Sequence, residues 1–132
     1  MNKLEIEILS EISNIVKIEN FIENFVVYFQ LPSELYGKIS LSVIEAVNNA
    51  ILSGNKRQPD KKVTVIAEKM DGQFRVTVKD EGEGFDYTTI PDPTLPDNIK
   101  KVAGRGLYLM KTLSDDLIFE NNGASVTIVF NL

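Results

Sequence analysis

The chain reads as an α+β domain, a two-layer sandwich with about three helices on one face of a mixed, mostly antiparallel sheet. Three observations predict it. Short runs alternate apolar and polar residues at the start, in the middle and at the end, as half-buried strands do. Two longer stretches repeat apolar residues at helical spacing, and a third follows the central loop. Asp71-Gly72 sits between two alternating runs, a two-residue hairpin signal that makes the neighbouring strands antiparallel. The resulting order is βααββ, a long loop, then αββ, within one expected domain over residues 1–132.

Leu4, Ile6 and Ile8 alternate with Glu5 and Glu7 and form the first strand. Ser10 or Ser13 is suited to open the next element. Ile15, Ile18, Ile22, Phe25 and Phe29 then recur at helical spacing until Leu31-Pro32 stops them, and such a row is core packing. Pro32 and Ser33 start a second helix that runs to a stop at Gly54-Asn55. On it Leu35, Ile39, Val43, Ala46 and Ala50 make one apolar stripe, with Glu45 and Asn49 one above the other at its edge and Asn48 turned toward solvent.

Residues 55–60 form a polar turn-rich loop whose basic residues read as solvated surface. Strands over 63–68 and 73–80 follow. Residues 81–103 hold most of the prolines and no periodicity, and a loop of that length in a compact domain is usually functional. Gly104-Arg105-Gly106 opens a third helix through Leu107, Leu109, Met110 and Leu113, closed near Ser114-Asp115. A last hairpin turns at Asn121-Asn122-Gly123 between strands over 117–120 and 126–132.

Composition removes several classes of function. The net charge of −5 argues against nucleic acid as main partner. With no cysteine there is neither disulfide nor thiolate chemistry, and with no histidine there is no Ser-His-Asp catalysis or phosphohistidine relay and few routes to a zinc site. No signal-peptide pattern or membrane-spanning stretch is present, so a soluble, cytoplasmic protein is expected.

Three features carry chemistry. Glu45 and Asn49 place a carboxylate and an amide at the rim of a buried helix face, where polar groups are costly unless something pairs with them. Strand parity puts Asp80 with Phe74, Val76 and Val78 on the face that meets the helices, so its charge also needs a partner. The glycines of the following Glu81-Gly82-Glu83-Gly84-Phe85 permit a sharp turn or a close approach of the backbone. Gly104-Arg105-Gly106 presents free N–H groups, a positive dipole end and a guanidinium, which together suit phosphate. Each has an ordinary structural reading: a solvated Glu and a helix-end Asn, a strand-ending turn, a flexible helix entry.

In this fixed order, E-A-V-N-N-A on a helix, D-E-G-E-G-F after a strand and G-R-G-L opening a helix, the three segments resemble the N, G1 and G2 boxes of the GHKL ATPase superfamily. This is the Bergerat ATP-binding fold, and within it the chain is similar to the anti-sigma factor serine-protein kinases of bacterial partner switching. The likeness runs through essentially the whole chain, Asp92-Pro93-Thr94 included.

The resemblance implies ATP and Mg²⁺ as cofactors. It implies Glu45 as general base on the attacking hydroxyl and Asn49 as the magnesium ligand, and it gives Asp80 the adenine amino group. Gly82 and Gly84 would allow the base to lie against the chain; Gly104, Arg105 and Gly106 would receive the phosphates; Phe85 and Leu107 would also belong to the nucleotide site; residues 86–103 would form a lid. It further implies a sigma factor or equivalent regulator and a STAS-type anti-anti-sigma protein as partners, the latter phosphorylated on Ser or Thr, and leaves a homodimer open. The alternative is a module that binds nucleotide and switches partners without phosphorylating them.

The chain departs from the family pattern at Ser53, where relatives often have His, and at Gly123-Ala124-Ser125, where they often read Gly-Thr-Thr. Lys100 and Lys101 in the lid read as solvated. A histidine-kinase catalytic fragment fits poorly, since no acceptor His or dimerisation helix pair is present.

Overall fold

In a computed structural model of the chain, residues 2–84 and 102–132 are described, the side chains of 102–105 excepted. The elements are β1 (Lys3–Leu9), α1 (Ile15–Tyr28), α2 (Ser33–Asn49), β2 (Lys62–Met70), β3 (Gln73–Lys79), α3 (Val102–Leu113), β4 (Asp116–Glu120) and β5 (Ser125–Asn131). They occur in the predicted order. The strands form one sheet ordered β1-β2-β3-β5-β4, and every described pairing is antiparallel, where the sequence reading had allowed a mixed sheet.

The register explains why alternation in the sequence suffices for this sheet. Ile6, Val65, Val78, Val126 and Phe119 stand side by side across all five strands, and Leu4, Ala67, Val76, Ile128 and Leu117 form the next row. A slip of one residue would turn either row to solvent. Helices α1 and α2 cover this face. Ile18, Ile22 and Phe25 of α1 are at most 1% exposed, with Phe25 edge-on to Phe21 at 5.4 Å and tilted against Phe74 at 5.1 Å. Ile39, Val43, Ala46 and Ala50 of the predicted stripe are buried and Leu35 is packed at its margin, joined by Ser42, Val47 and Ile51.

Helix α1 ends where Gln30 takes a left-handed φ of 53° and the Leu31 N–H donates to the Val26 carbonyl, before Pro32 forbids continuation. Ser10 does not open it. The Ser10 side chain is buried and donates to the Lys61 carbonyl, while Asn14 stands at the start of α1 after a single 3₁₀ turn, Ile12–Asn14. Ser13 lies inside that turn. Helix α2 does not stop cleanly either. It widens into a π turn, Ala50–Gly54, in which the Asn55 N–H reaches back to the Ala50 carbonyl at 2.7 Å.

Candidate functional site

The π turn ends beside the last residues of β3, and this contact builds one wall of a cleft. Gly54 and Asp80 touch so closely that a Cβ on Gly54 would fall inside the Asp80 carboxyl group. The Gly82 backbone in turn runs against the Gly54 carbonyl, again leaving no space for a side chain. Asp80 lies one residue beyond β3 and is half-buried, on the helix-facing side as its parity predicts. Its own N–H donates to the Ala124 carbonyl at 2.9 Å, and its Oδ1 accepts the Gly82 N–H at 2.7 Å. Burial pushes its carboxyl above the usual value, an effect partly offset by the Gly82 hydrogen bond. Gly84, with φ of +89°, passes against the Asn122 backbone of the β4–β5 turn, so the glycine-rich segment is pinned at both ends.

The cleft holds roughly 650 Å³ of empty space when the open solvent at its mouth is counted. Its floor is apolar: Ala46, Ala50, Val78, Met110, Phe119 and Val126. Asn49, Ser53 and Asp80 supply its polar side chains, and Gly84, Leu107, Gly123 and Ala124 complete the rim. A shallow apolar slot with one half-buried carboxylate suits a flat heteroaromatic ring carrying an amino donor.

The opposite end of the cleft is where α2 meets α3. The position a Cβ would take on Gly106 is 3.0 Å from both Asn49 Nδ2 and Glu45 Oε2, and 3.5 Å from Asn49 Oδ1. The glycine therefore admits both polar groups to the α3 backbone. Asn49 Nδ2 is buried and has no hydrogen-bond partner among the described residues, an uncommon condition in a folded protein. Glu45 is half-buried one turn earlier on the same helix.

The three sequence segments thus converge on one cleft, which residue spacing alone could not show. Some expectations need correction. Helix α3 begins at Val102, so residues 102 and 103 of the expected lid are helical, and Gly104 lies within the first turn. Gly106 lies beyond that turn, where the α3 backbone comes close to Asn49 and Glu45. Asn48 is half-buried, as are Glu45 and Asn49. Phe85, residues 86–101 with Lys100 and Lys101, Asp92-Pro93-Thr94 and the Arg105 side chain lie outside the described residues.

Two residues escaped the sequence reading. In the sequence Gly54 and Asn55 mark only a helix stop and the start of a polar loop. Asn55 is only 2% exposed. Its Nδ2 donates to Ser10 Oγ at 2.8 Å and to the Lys62 carbonyl at 2.9 Å, and its Oδ1 accepts the Glu81 N–H at 2.8 Å. An Asn after a helix-ending Gly was the available signal, but it could not separate a hub from an ordinary cap.

A profile of the histidine kinase-like ATPase domain matches residues 8–130. The chain belongs to the histidine kinase-like ATPase family. It is 35% identical over 91 residues to the anti-sigma F factor of Heyndrickxia coagulans, covering 66% of this chain and 61% of that protein. It is 28% identical over 97 residues to the serine-protein kinase RsbW of Listeria innocua, covering 68% and 62% respectively. The chain thus spans about three-fifths of the length of the curated relatives it matches. The crystal structure of the RsbU and RsbW domains of Rv1364c from Mycobacterium tuberculosis aligns with the whole of this chain and 32% of that one, at a TM-score of 0.66 and 14% identity, which establishes the shared fold. An ATPase-family domain is a nucleotide-binding domain, the ligand class the resemblance implied.

Proposed function

We propose that this chain is an ATP-dependent serine/threonine protein kinase domain that also acts as an anti-sigma regulator, phosphorylating a STAS-type anti-anti-sigma antagonist. The observation that carries the proposal is that Asn49, which lines the same cleft as Asp80, stands with Glu45 against Gly106 of α3. The names of the relatives, an anti-sigma F factor and a serine-protein kinase, favour the same reading.

The residues fit both proposed cofactors. Asp80 keeps an ionised oxygen for an adenine amino group, and a guanine carbonyl in that place would be repelled. Asn49 offers an amide oxygen, a hard donor appropriate to Mg²⁺, and its orphaned Nδ2 is a second group awaiting a ligand. Among the described residues no cluster of three or more acidic side chains could hold a metal, which favours an ion sharing its shell with phosphate and water. When bound, MgATP supplies the γ-phosphoryl group and neutralises part of its charge. Glu45, one turn from Asn49, takes the proton of the attacking Ser or Thr hydroxyl as the oxygen–phosphorus bond forms and ADP leaves. The first turn of α3 offers its free N–H groups to the phosphates.

The partners proposed are a sigma factor or equivalent regulator and the antagonist, with no role for nucleic acid. No helix among the described residues is long and apolar enough to cross a membrane, and a cytoplasmic site of action is part of the proposal. A homodimer is compatible with it. The test mixes the chain with MgATP and a STAS-type antagonist and measures phosphate on Ser or Thr. Wild type should transfer, while Glu45→Ala should bind ATP within about threefold of wild type and lose transfer by on the order of a hundredfold or more. ATP binding with no transfer by wild type would instead favour the kinase-inactive switch.

A further inference from the structure

The buried hub at Asn55 lies just outside the cleft, and none of its contacts is explained by the proposed chemistry. It closes a ring of hydrogen bonds. Asn55 Oδ1 accepts the Glu81 N–H, the Glu81 carboxylate accepts the Lys62 N–H at 2.5 Å, and the Lys62 carbonyl accepts from Asn55 Nδ2. The second Nδ2 hydrogen goes to Ser10 Oγ, which itself donates to the Lys61 carbonyl. Three segments far apart in the chain, the ends of β1, of the α2 π turn and of β3, are thereby locked to the start of β2.

Glu81 is the residue between Asp80 and Gly82. At its observed place the Asp80 carboxylate accepts the Gly82 N–H at Oδ1, and the turn is packed closely against Gly54. The Asn55 amide is the side chain that holds the middle of this turn, and it is attached to the residue directly after Gly54. Both sides of the Gly54–Asp80 contact are therefore tied through one group, which does not itself line the cleft.

We propose that Asn55 is a positioning residue of the nucleotide site: it clamps the Asp80–Gly82 turn onto the exit of α2 and so aims the Asp80 carboxylate at the base. This rests on the nucleotide-site reading above. Loss of the clamp frees the turn, so ATP affinity falls and the preference for adenine over guanine narrows, while phosphoryl transfer from bound ATP proceeds at Glu45 as before.

The experiment measures MgATP and MgGTP binding by calorimetry, and KM and kcat for transfer, in wild type, Asn55→Ala and Ser10→Ala. Asn55→Ala should weaken ATP binding by about tenfold, the equivalent of one displaced hydrogen bond, and GTP binding by less. KM for ATP should rise with kcat kept within about twofold. Ser10→Ala removes one partner of Nδ2 but leaves the Asn55–Glu81 bond, so it should cost stability and leave nucleotide affinity within about twofold of wild type. In an Asp80→Asn background, Asn55→Ala should add no further loss of affinity, as expected of a group acting through Asp80.

Unchanged ATP affinity in Asn55→Ala, equal losses in Asn55→Ala and Ser10→Ala, or a fully additive loss on Asp80→Asn would each overturn the proposal. Should Asn55→Ala fail to fold, Asn55→Ser, too short to reach Glu81, carries the same expectations. Hydrogen exchange in the nucleotide-free wild type gives a reading independent of any ligand. A Glu81 amide exchanging as fast as open loop would also overturn the clamp. Wild type that binds no ATP, with a protected Glu81 amide, would instead remove the nucleotide reading and leave the clamp standing.

Discussion

Substituting Gly54 by Ala probes the cleft at the contact on which its geometry depends. The added Cβ would lie inside the van der Waals envelope of Asp80 Oδ2 and Cγ and 2.8 Å from Oδ1. The Gly82 backbone blocks a retreat of Gly54 itself, because its own Cα already lies against the Gly54 carbonyl. Asp80 must therefore rotate away, breaking the Oδ1 bond to the Gly82 N–H and leaving the direction of the base. A charge-assisted hydrogen bond is worth about 1.5–3 kcal/mol, so MgATP affinity should fall on the order of ten- to hundredfold. The fold should survive with a loss of about 1.5–3 kcal/mol, the value of the broken internal hydrogen bond to the carboxylate. Calorimetric titration with MgATP, paired with urea unfolding of the same variant, separates the two effects. A Gly54→Ala protein that binds ATP as wild type does would refute the claim that Asp80 recognises the nucleotide from this position.

Further outcomes follow from single residues. Asp80→Asn should weaken nucleotide binding on the order of ten- to hundredfold while leaving it measurable, since the amide can turn a donor toward the base where an acceptor is needed. The same substitution should change the pH dependence of stability in a defined direction. Burial raises the Asp80 carboxyl in the folded chain above its ordinary 3.8, so the folded state holds that proton more tightly than the unfolded one. The associated stabilisation is fully present below pH 3.8 and is lost as pH rises through the elevated folded value. Urea titrations of wild type and Asp80→Asn should therefore converge toward acid and separate above that window, with the Asn variant the more stable. Equal stability of the two at neutral pH would count against this assignment. Phe25→Ala should cost about 3–5 kcal/mol in urea unfolding, because the ring is fully buried between Phe21 and Phe74. A loss below 1 kcal/mol would mean that α1 is not anchored to the sheet there.

The fold was legible because local pattern and global packing agree. Alternation in residues 3–9 and 73–79, and helical spacing from Ile15 to Phe25, each assign a buried face that the sheet register and the helix layer then use. Boundaries were less legible. Ser10 looked like a helix cap and proved to be a buried bridge to Lys61, and the second helix continued as a π turn that no periodicity foretells. Glu45, Asn49, Asp80 and Gly106 were named from residue type and order, yet the lining of one cleft by Asn49 and Asp80, and the approach of Gly106 to Glu45 and Asn49, depend on contacts between segments dozens of residues apart.

By itself, then, the sequence determined the layer architecture, the antiparallel hairpins and the residue types able to take part in chemistry. These depend on repeats of two and 3.6 residues and on side-chain functional groups, which are properties of short stretches. Tertiary structure alone decided that Asn55 is a hub, that Gly54 shapes the place of the Asp80 carboxylate, and that Gly106 abuts Glu45 and Asn49. A hydrogen bond between residues 26 or 45 positions apart leaves no periodic trace, because its geometry is set by how separate elements pack and not by what either segment prefers locally.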